Sequence, residues 1–308
     1  MSALNLRAPP AGGAPAPVLT AKSRPGETVI KVLLIVATAC SVLVTAGILV
    51  AVLEPALEFF RRESFSEFFS FDTGKEFSAL PLVVGTLLTT VIALAVAIPI
   101  GLGAAMYLSE YASRRARKWL KPTVELLAGV PSVVYGFFAV FFVIPVVLRD
   151  WLGIPVSAYN SLGAGLVLGV MIIPTIASLA EDALSAVPLA LRQGSLAMGA
   201  NRMQTTLRVV FPAALSGIAA AVVLGMSRAV GETMIVLMAG GSIKSNSPDV
   251  TNGHETMTGV IARTALGESP VESTEYKYLF AVALLLFVIT FVMNMVSIAI
   301  VRRFRQAY

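Results

Sequence analysis

The sequence is poor in charged residues, cysteine and histidine. Only 13% of its 308 residues are Asp, Glu, Lys or Arg, whereas a soluble chain carries about 25%. A single cysteine, Cys40, excludes a secreted disulfide scaffold. The single histidine, His254, argues against zinc or haem chemistry, so we expect no metal site and no cofactor, and we expect His254 to be solvated in an outer loop. The 56% hydrophobic content excludes disorder for most of the chain and leaves an integral membrane protein.

Long uncharged runs recur along the chain. Five of them cover residues 32–53, 77–109, 126–148, 151–180 and 278–301. Each exceeds the ~20 apolar residues that cross ~30 Å of hydrocarbon. A sixth apolar stretch begins at Val209, is interrupted by Arg228 and Glu232, and ends near Ile243. These runs predict an all-α integral membrane protein with six transmembrane helices.

The composition divides the chain into four predicted regions. Residues 1–27 are rich in Ala and Pro and are expected to form a flexible cytoplasmic tail. Residues 28–54 are predicted to be the first transmembrane helix, and residues 55–76 an acidic outer loop. Residues 77–308 are predicted to form a core of five helices, with a cytoplasmic loop at about 188–212.

The distribution of charge predicts the orientation of the chain. With both termini inside, the predicted inner segments hold 15 Lys and Arg residues and the outer segments hold 7. Acidic residues show the opposite bias, with 4 inside and 12 outside. The positive-inside rule therefore places both termini in the cytoplasm. The basic run from Arg114 to Lys121 is interpreted as an anchor beside anionic membrane lipid and not as a nucleic-acid site.

Arg228 and Glu232 are the charged residues inside the fifth predicted span. A charge at the centre of a membrane helix costs about 2.5–3.5 kcal/mol, so this helix face should turn away from lipid. Because the two residues are four positions apart, a continuous helix would bring them within ion-pairing reach. One interpretation is an internal ion pair that fixes the rotation of the helix. The other is an Arg228 donor facing an anion pathway, oriented by Glu232, since the planar guanidinium suits phosphate.

Proline lies deep in several predicted spans, at Pro99, Pro131, Pro145 and Pro174. These helices are expected to be kinked or locally unwound, which membranes tolerate around protein or a water-filled cavity. This favours a transport pathway, although proline and small residues are also frequent in membrane helices that merely pack together.

The cytoplasmic loop contains the most specific pattern, Q-G-S-L-A-M-G-A-N-R-M-Q-T-T-L-R-V-V-F-P from Gln193. It predicts a short amphipathic helix, a turn at Gly199 and a return into the membrane near Pro212. Such a helix could fit a groove on a soluble partner, and the alternative is an ordinary loop with a capped turn.

This loop is similar to the EAA loop of ABC-importer permeases, E-A-A-x3-G-x9-I-x-L-P. Gly199 and Pro212 match that pattern, whereas Gln193, Gly194 and Ser195 replace Glu-Ala-Ala. Residues 28–308 resemble the phosphate permeases of the Pst type. The similar segments are G-T-L-L-T-T from residue 85, P-I-G-L-G-A-A-M-Y-L-S-E-Y from residue 99, L-A-G-V-P-S-V-V-Y-G from residue 127 and S-R-A-V-G-E-T-M from residue 227. The separate first span, the acidic outer loop and the F-V-I-T-F-V-M-N ending favour the C-type subunit over the A-type.

The resemblance implies a type I ABC-importer permease fold in a bacterial cytoplasmic membrane. Its implied partners are a second permease subunit of the A-type, two copies of a cytoplasmic ATPase and an external phosphate-binding protein. The implied coupling residues, which contact the ATPase, are Gln193, Gly194, Ser195, Gly199 and Ala200. The implied substrate pathway contains Arg228 and Glu232.

The chain itself is not expected to be an enzyme. A nucleotide-binding P-loop requires G-x4-G-K-[ST], and Gly74-Lys75 is followed by Glu76. ATP hydrolysis is therefore expected on a separate chain. Three alternatives stay open: a permease for sulfate or molybdate, the A-type phosphate permease subunit, and a membrane scaffold or sensor that does not transport.

Overall fold

The computed structural model describes residues 25–267 and 269–303, and all regular structure within these ranges is helical. In chain order the helices are α1 (Pro25–Arg62), α2 (Phe65–Phe68), α3 (Leu80–Met106), α4 (Arg114–Ala128), α5 (Ser132–Phe138), α6 (Ser161–Ser185), α7 (Leu189–Ala197), α8 (Arg202–Thr205), α9 (Phe211–Ala213), α10 (Leu215–Val230), α11 (Met234–Ala239), α12 (Met257–Leu266) and α13 (Thr274–Arg303). Segments of π-helix continue α3 (Tyr107–Tyr111), α5 (Ala139–Trp151) and α8 (Thr206–Val210). The all-α prediction is confirmed.

Five helical segments in these ranges are long and apolar enough to cross a membrane: Gly26–Arg62, Leu80–Tyr111, Ser132–Trp151, Ser161–Ser185 and Thr274–Ala299. A sixth span results if Arg202–Ala213 and Leu215–Val230 are taken as one bent element, because they meet at an angle of 72°. Six spans were predicted, and the fifth is therefore bent at Ala214 and not a single straight helix.

The first helix is longer than its predicted range of 28–54. It continues to Arg62, so the predicted outer loop begins as helix. Phe59 is buried near the end of this helix, with its ring centroid 5.7 Å from that of Phe68 and 5.7 Å from that of Phe77. This aromatic packing explains why the helix does not stop at the first charged residue. Residues 1–24 of the predicted tail lie outside the described residues.

Glycines allow three helices to pack closely. A Cβ atom at Gly169 of α6 would lie 2.8 Å from the Ala93 carbonyl oxygen of α3. A Cβ atom at Gly225 of α10 would lie 2.9 Å from Cγ1 of Ile176 in α6. Because hydrophobic attraction does not distinguish protein from lipid tails, such small-residue contacts are the main means of holding membrane helices together. Helix α6 is therefore the central helix, packed against α3 on one side and α10 on the other.

The loop between α11 and α12 folds back onto the start of α6. His254 in this loop is 1% exposed, with its Nδ1 atom 2.9 Å from Oγ of Ser161 and its Nε2 atom 2.7 Å from the Ser247 carbonyl oxygen. The expectation that His254 is solvated is therefore wrong. Its partner Ser161 is 93 positions away, so local sequence could not show the contact.

Candidate substrate pathway and coupling loop

Arg228 lies in the last turn of α10 and faces α6. Its Nη1 atom donates a hydrogen bond to Oγ1 of Thr175, 2.9 Å away, and both side chains are half-buried. Thr175 follows Pro174 within α6, and Gly225 brings the two helices into close contact one turn before Arg228. The guanidinium is thus held against a neighbouring helix, as the cost of exposing it to lipid requires.

Glu232 does not pair with Arg228. Helix α10 ends at Val230, and Glu232 instead caps α11: its Oε1 atom accepts hydrogen bonds from the backbone N–H groups of Met234 (3.0 Å) and Ile235 (3.3 Å). The ion pairs of residues 25–267 and 269–303 include neither Arg228 nor Glu232. The prediction that one continuous helix brings Arg228 and Glu232 together is therefore wrong. The helix ends before Gly231, and the Glu232 carboxylate accepts hydrogen bonds from free N–H groups of the next helix.

Among the residues that the structure describes, no carboxylate pairs with the guanidinium of Arg228. A guanidinium has five N–H donors and cannot lose its proton in a protein. The bond to Thr175 is the side-chain hydrogen bond that Arg228 makes within the described part of the chain. Its other donors are therefore available to a planar or tetrahedral oxyanion, and Thr175 fixes the guanidinium without neutralising it.

The loop 188–212 has the predicted helix, turn and return. Helix α7 ends at Ala197, and Gly199 has φ +85°, a left-handed conformation that favours glycine. Asn201 then begins α8 with a capping box: its side chain accepts from the N–H of Gln204, whose side chain accepts from the N–H of Asn201. The loop thus has a defined structure of helix, turn and capped second helix. We call residues 188–212 the coupling loop.

The predicted coupling residues lie together on this loop. Gln193 and Gly194 are exposed on α7, while Oγ of Ser195 lies 2.9 Å from Oγ1 of Thr205 and ties α7 to α8. The Ala200 N–H donates to the Ser195 carbonyl, 3.2 Å away, which closes the turn around Gly199. Large apolar side chains are exposed on the same loop, at Leu189 (68%), Leu196 (50%), Met198 (89%) and Met203 (62%). An apolar surface of this kind on a membrane-proximal loop is typical of a protein-binding site.

Arg192 is a functional candidate that sequence reasoning missed. Its guanidinium donates to Oε1 of Glu110 (3.0 Å), to the Val187 carbonyl (2.6 Å) and to the Leu184 carbonyl (2.7 Å). These bonds connect the coupling loop to the ends of two membrane helices. In the sequence Arg192 is one of the basic residues of the predicted inner segments, and local sequence does not indicate the contact because Glu110 is 82 positions away.

A buried carboxylate, Glu181, joins the basic run to α6. It is 0% exposed and accepts hydrogen bonds from Arg117, from Lys121 Nζ (2.6 Å) and from Ser185 Oγ (2.8 Å). Hydrogen bonds from Lys121 to Asp182 and Glu181 raise the pKa of the Lys121 ammonium above its ordinary value. Part of the basic run thus faces inward and stabilises the protein.

The predicted outer side carries a second charged region, a cavity of about 270 Å³ whose lining includes Lys244, Glu255 and Arg263. Arg263 pairs there with Glu255. Burial lowers the pKa of the Lys244 ammonium, despite the opposing effect of nearby Glu255. Because this region already pairs acid with base, it is a weaker candidate for an anion site than Arg228.

The family description that matches this chain is "Binding-protein-dependent transport system inner membrane component", over residues 97–306. The matched region contains the coupling loop, Thr175, Arg228 and Glu232.

Similar proteins have been named in several bacteria. "Phosphate transport system permease protein PstC 1" of Mycobacterium tuberculosis is 38% identical over 251 residues, which is 75% of this chain and 74% of that protein. "Phosphate transport system permease protein PstC" of Pasteurella multocida is 30% identical over 284 residues, covering 84% of this chain and 88% of that protein. "Probable ABC transporter permease protein YqgH" of Bacillus subtilis is 36% identical over 222 residues, or 71% and 70% of the two chains.

Solved structures share the fold. A chain of a bacterial alginate ABC transporter aligns with a TM-score of 0.64 at 17% identity, covering 91% of this chain and 98% of that chain. A chain of the MetNI methionine ABC transporter in inward-facing conformations aligns with a TM-score of 0.54 at 20% identity, covering 74% and 94%. At this level of identity the likeness concerns the fold alone, which is that of a type I ABC-importer permease.

Proposed function

The chain belongs to the family of inner membrane components of binding-protein-dependent transport systems, and on that premise we propose that it is the permease subunit of an ATP-driven importer of inorganic phosphate. It is a multi-pass membrane protein of a bacterial cytoplasmic membrane. Its role is to provide part of the path along which the anion crosses.

The observation that carries this proposal is the contact between Arg228 and Thr175. The guanidinium is half-buried in a membrane helix and is held by a neutral hydroxyl, while Glu232 binds elsewhere. A fixed cation with free donors stabilises a partly dehydrated oxyanion, and a planar guanidinium can bind two of its oxygens at once.

The choice of phosphate over sulfate or molybdate rests on the relatives' names. A guanidinium binds any tetrahedral oxyanion, so the geometry at Arg228 fits all three. The relatives named phosphate permeases are at least 30% identical over most of this chain. They are named PstC, which supports the C-type subunit.

We assign the free energy for transport to a partner chain. The coupling loop presents Gln193, Gly194 and Met198 to solvent, and a cytoplasmic ATPase in two copies is the partner that the family context implies. A second permease subunit of the A-type and an external phosphate-binding protein complete the proposed assembly. In this proposed assembly the coupling loop and both termini lie in the cytoplasm, which agrees with the excess of Lys and Arg in the predicted inner segments.

Reconstitution of the assembled transporter in proteoliposomes tests the function. We expect ATP-dependent uptake of labelled phosphate that excess sulfate or molybdate does not reduce, and no uptake with an ATPase partner that cannot hydrolyse ATP. Competition by sulfate or molybdate at equal concentration would assign the chain to another oxyanion. A stable complex that hydrolyses ATP without transporting any of the three anions would instead identify a scaffold or sensor.

A further inference from the structure

Helix α4 (Arg114–Ala128) is short, basic and held at the membrane surface. It follows the span Leu80–Tyr111 after two residues and precedes the span Ser132–Trp151 by three. It cannot move far from the bilayer, because both of its neighbours in the chain cross it. The contacts of Arg117 and Lys121 with Glu181 place it beside the same end of α6 that holds Arg192 of the coupling loop.

One face of α4 is apolar and exposed. The side chains of Trp119 and Leu126 are 76% and 75% exposed, and Leu120 and Leu127 are 41% and 48% exposed. These positions follow helical spacing and lie away from the face that contacts α6 through Arg117. An apolar stripe on a helix at the bilayer surface inserts into the boundary between headgroups and acyl chains, and tryptophan is enriched at this depth.

Arg115 and Lys118 border this stripe, and a third cation, Arg114, lies one helical turn before Lys118. Arg114, Arg115 and Lys118 are exposed, and the ion pairs of the described residues do not include them. Arg115 lies one helical turn before Trp119, and Lys118 directly precedes Trp119 in the chain, so both cations lie beside the apolar face.

We propose that α4 is an interfacial helix and that Arg115 and Lys118 bind the headgroups of anionic phospholipids in the cytoplasmic leaflet. The apolar stripe sets the depth of the helix, and the bordering cations then lie at the level of the lipid phosphates. Each basic residue near an anionic surface contributes roughly fivefold in affinity. The same helix forms ion pairs with Glu181 of α6 through Arg117 and Lys121. Lipid binding therefore stabilises the position of a helix that contacts α6.

The two tryptophans of the chain allow a direct test. Trp119 lies on α4 and Trp151 at the outer end of the third span. The full chain with Trp151→Phe, reconstituted in phosphatidylcholine vesicles, reports on Trp119 alone. Brominated phosphatidylglycerol and brominated phosphatidylcholine are then added to separate samples at equal mole fraction, because bromine quenches tryptophan only on contact.

We expect both lipids to quench Trp119 and the anionic lipid to quench it severalfold more in the Stern–Volmer slope, because each of the two bordering cations contributes roughly fivefold in affinity. The double variant Arg115→Gln/Lys118→Gln should remove the excess, whereas the charge-conserving exchange Arg115→Lys/Lys118→Arg should keep it. The chain with Trp119→Phe, which reports on Trp151, should show no excess.

Equal quenching by the two lipids would overturn the proposal, and so would an excess that survives the double Gln variant. Failure of both lipids to quench Trp119 would show that protein, such as a second copy of the chain, covers this face. That result would also overturn the proposal. None of these results depends on transport, so the proposed function is tested separately.

Discussion

Arg228 donates a hydrogen bond to the hydroxyl of Thr175 across 2.9 Å, 53 positions earlier in the chain. The contact joins the last turn of α10 to α6 just after Pro174, where Gly225 allows the two helices to touch. A threonine positions the guanidinium as a carboxylate would, but it leaves the positive charge intact. We regard this contact as the centre of the anion pathway.

Thr175 should therefore be a positioning residue for transport. Thr175→Val removes the hydroxyl but keeps the shape, so the guanidinium loses its fixed orientation. We expect a rise in KM for phosphate uptake of roughly tenfold or more, since one hydrogen bond to a charged group contributes about 1.5–3 kcal/mol. Thr175→Ser should restore uptake, whereas equal loss in both variants would indicate a packing role only.

Glu232 should act on helix α11 and not on Arg228. Glu232→Ala removes the acceptor for the Met234 and Ile235 N–H groups, and the free energy of unfolding should fall by about 0.5–2 kcal/mol. In a double-mutant cycle measured by thermal unfolding, Arg228→Gln and Glu232→Gln should be additive to within about 0.5 kcal/mol. A larger coupling energy would reveal an ion pair between them and contradict this geometry.

Gly169 should be required for the packing of α6 on α3. Gly169→Ala places a Cβ atom 2.8 Å from the Ala93 carbonyl oxygen, so the helices must separate. We expect a loss of about 1–3 kcal/mol in stability. Gly103→Ala is the matched control in α3, because a Cβ atom there meets nothing within 4 Å. Comparable melting temperatures for the two variants in detergent would contradict the close packing.

Arg192 should transmit movement from the coupling loop. Arg192→Gln leaves Glu110 buried without its cation, and breaking a buried ion pair in this way costs about 3–5 kcal/mol. The measured quantity is phosphate imported per ATP hydrolysed, which we expect to fall severalfold while the ATPase still co-purifies. Arg208→Gln, at an exposed position of the same loop, serves as the control. An unchanged ratio in Arg192→Gln would show that the contact with Glu110 is dispensable.

The loop between α11 and α12 should become less stable in acid because of Asp249. Its carboxylate accepts hydrogen bonds from the Thr251 hydroxyl (2.7 Å), the Thr251 N–H (3.0 Å) and the Asn252 side chain (2.7 Å), and these bonds lower its pKa below the ordinary value. Because the pKa of the Asp249 carboxyl is lower in the folded than in the unfolded protein, its ionised form stabilises the folded loop at any pH above the unfolded-state pKa. This stabilisation is lost as the pH falls through the pKa of the folded state. Hydrogen exchange of this loop should accelerate over that range, and Asp249→Asn should show no such acceleration.

The spans were predictable because each depends on local composition. Uncharged runs located the membrane helices, and the pattern of the coupling loop predicted a short helix, the turn at Gly199 and the return into the membrane near Pro212. Long-range contacts were not predictable. The contacts of His254 with Ser161, Arg192 with Glu110 and Arg228 with Thr175 form only when the helices pack around α6. A single sequence contains no signal of pairs so far apart in the chain.

The prediction that Arg228 and Glu232 lie on one helix face is wrong for a local reason. Four positions imply one helix face only while the helix continues, and here Gly231 follows the last residue of α10. Glycine is tolerated in membrane helices, so its presence alone did not mark the end. The free N–H groups of α11 then provided a better partner for the carboxylate than the guanidinium did.

Phosphate uptake by proteoliposomes that contain the complete transporter with Arg228→Gln tests the central claim most directly. Arg61→Gln, which removes an exposed cation at the outer end of α1, is the matched control. We predict that Arg228→Gln abolishes ATP-driven uptake while the complex assembles and hydrolyses ATP as before, and that Arg61→Gln transports normally. Uptake by the Arg228→Gln transporter at the rate of the unmodified one would contradict the account.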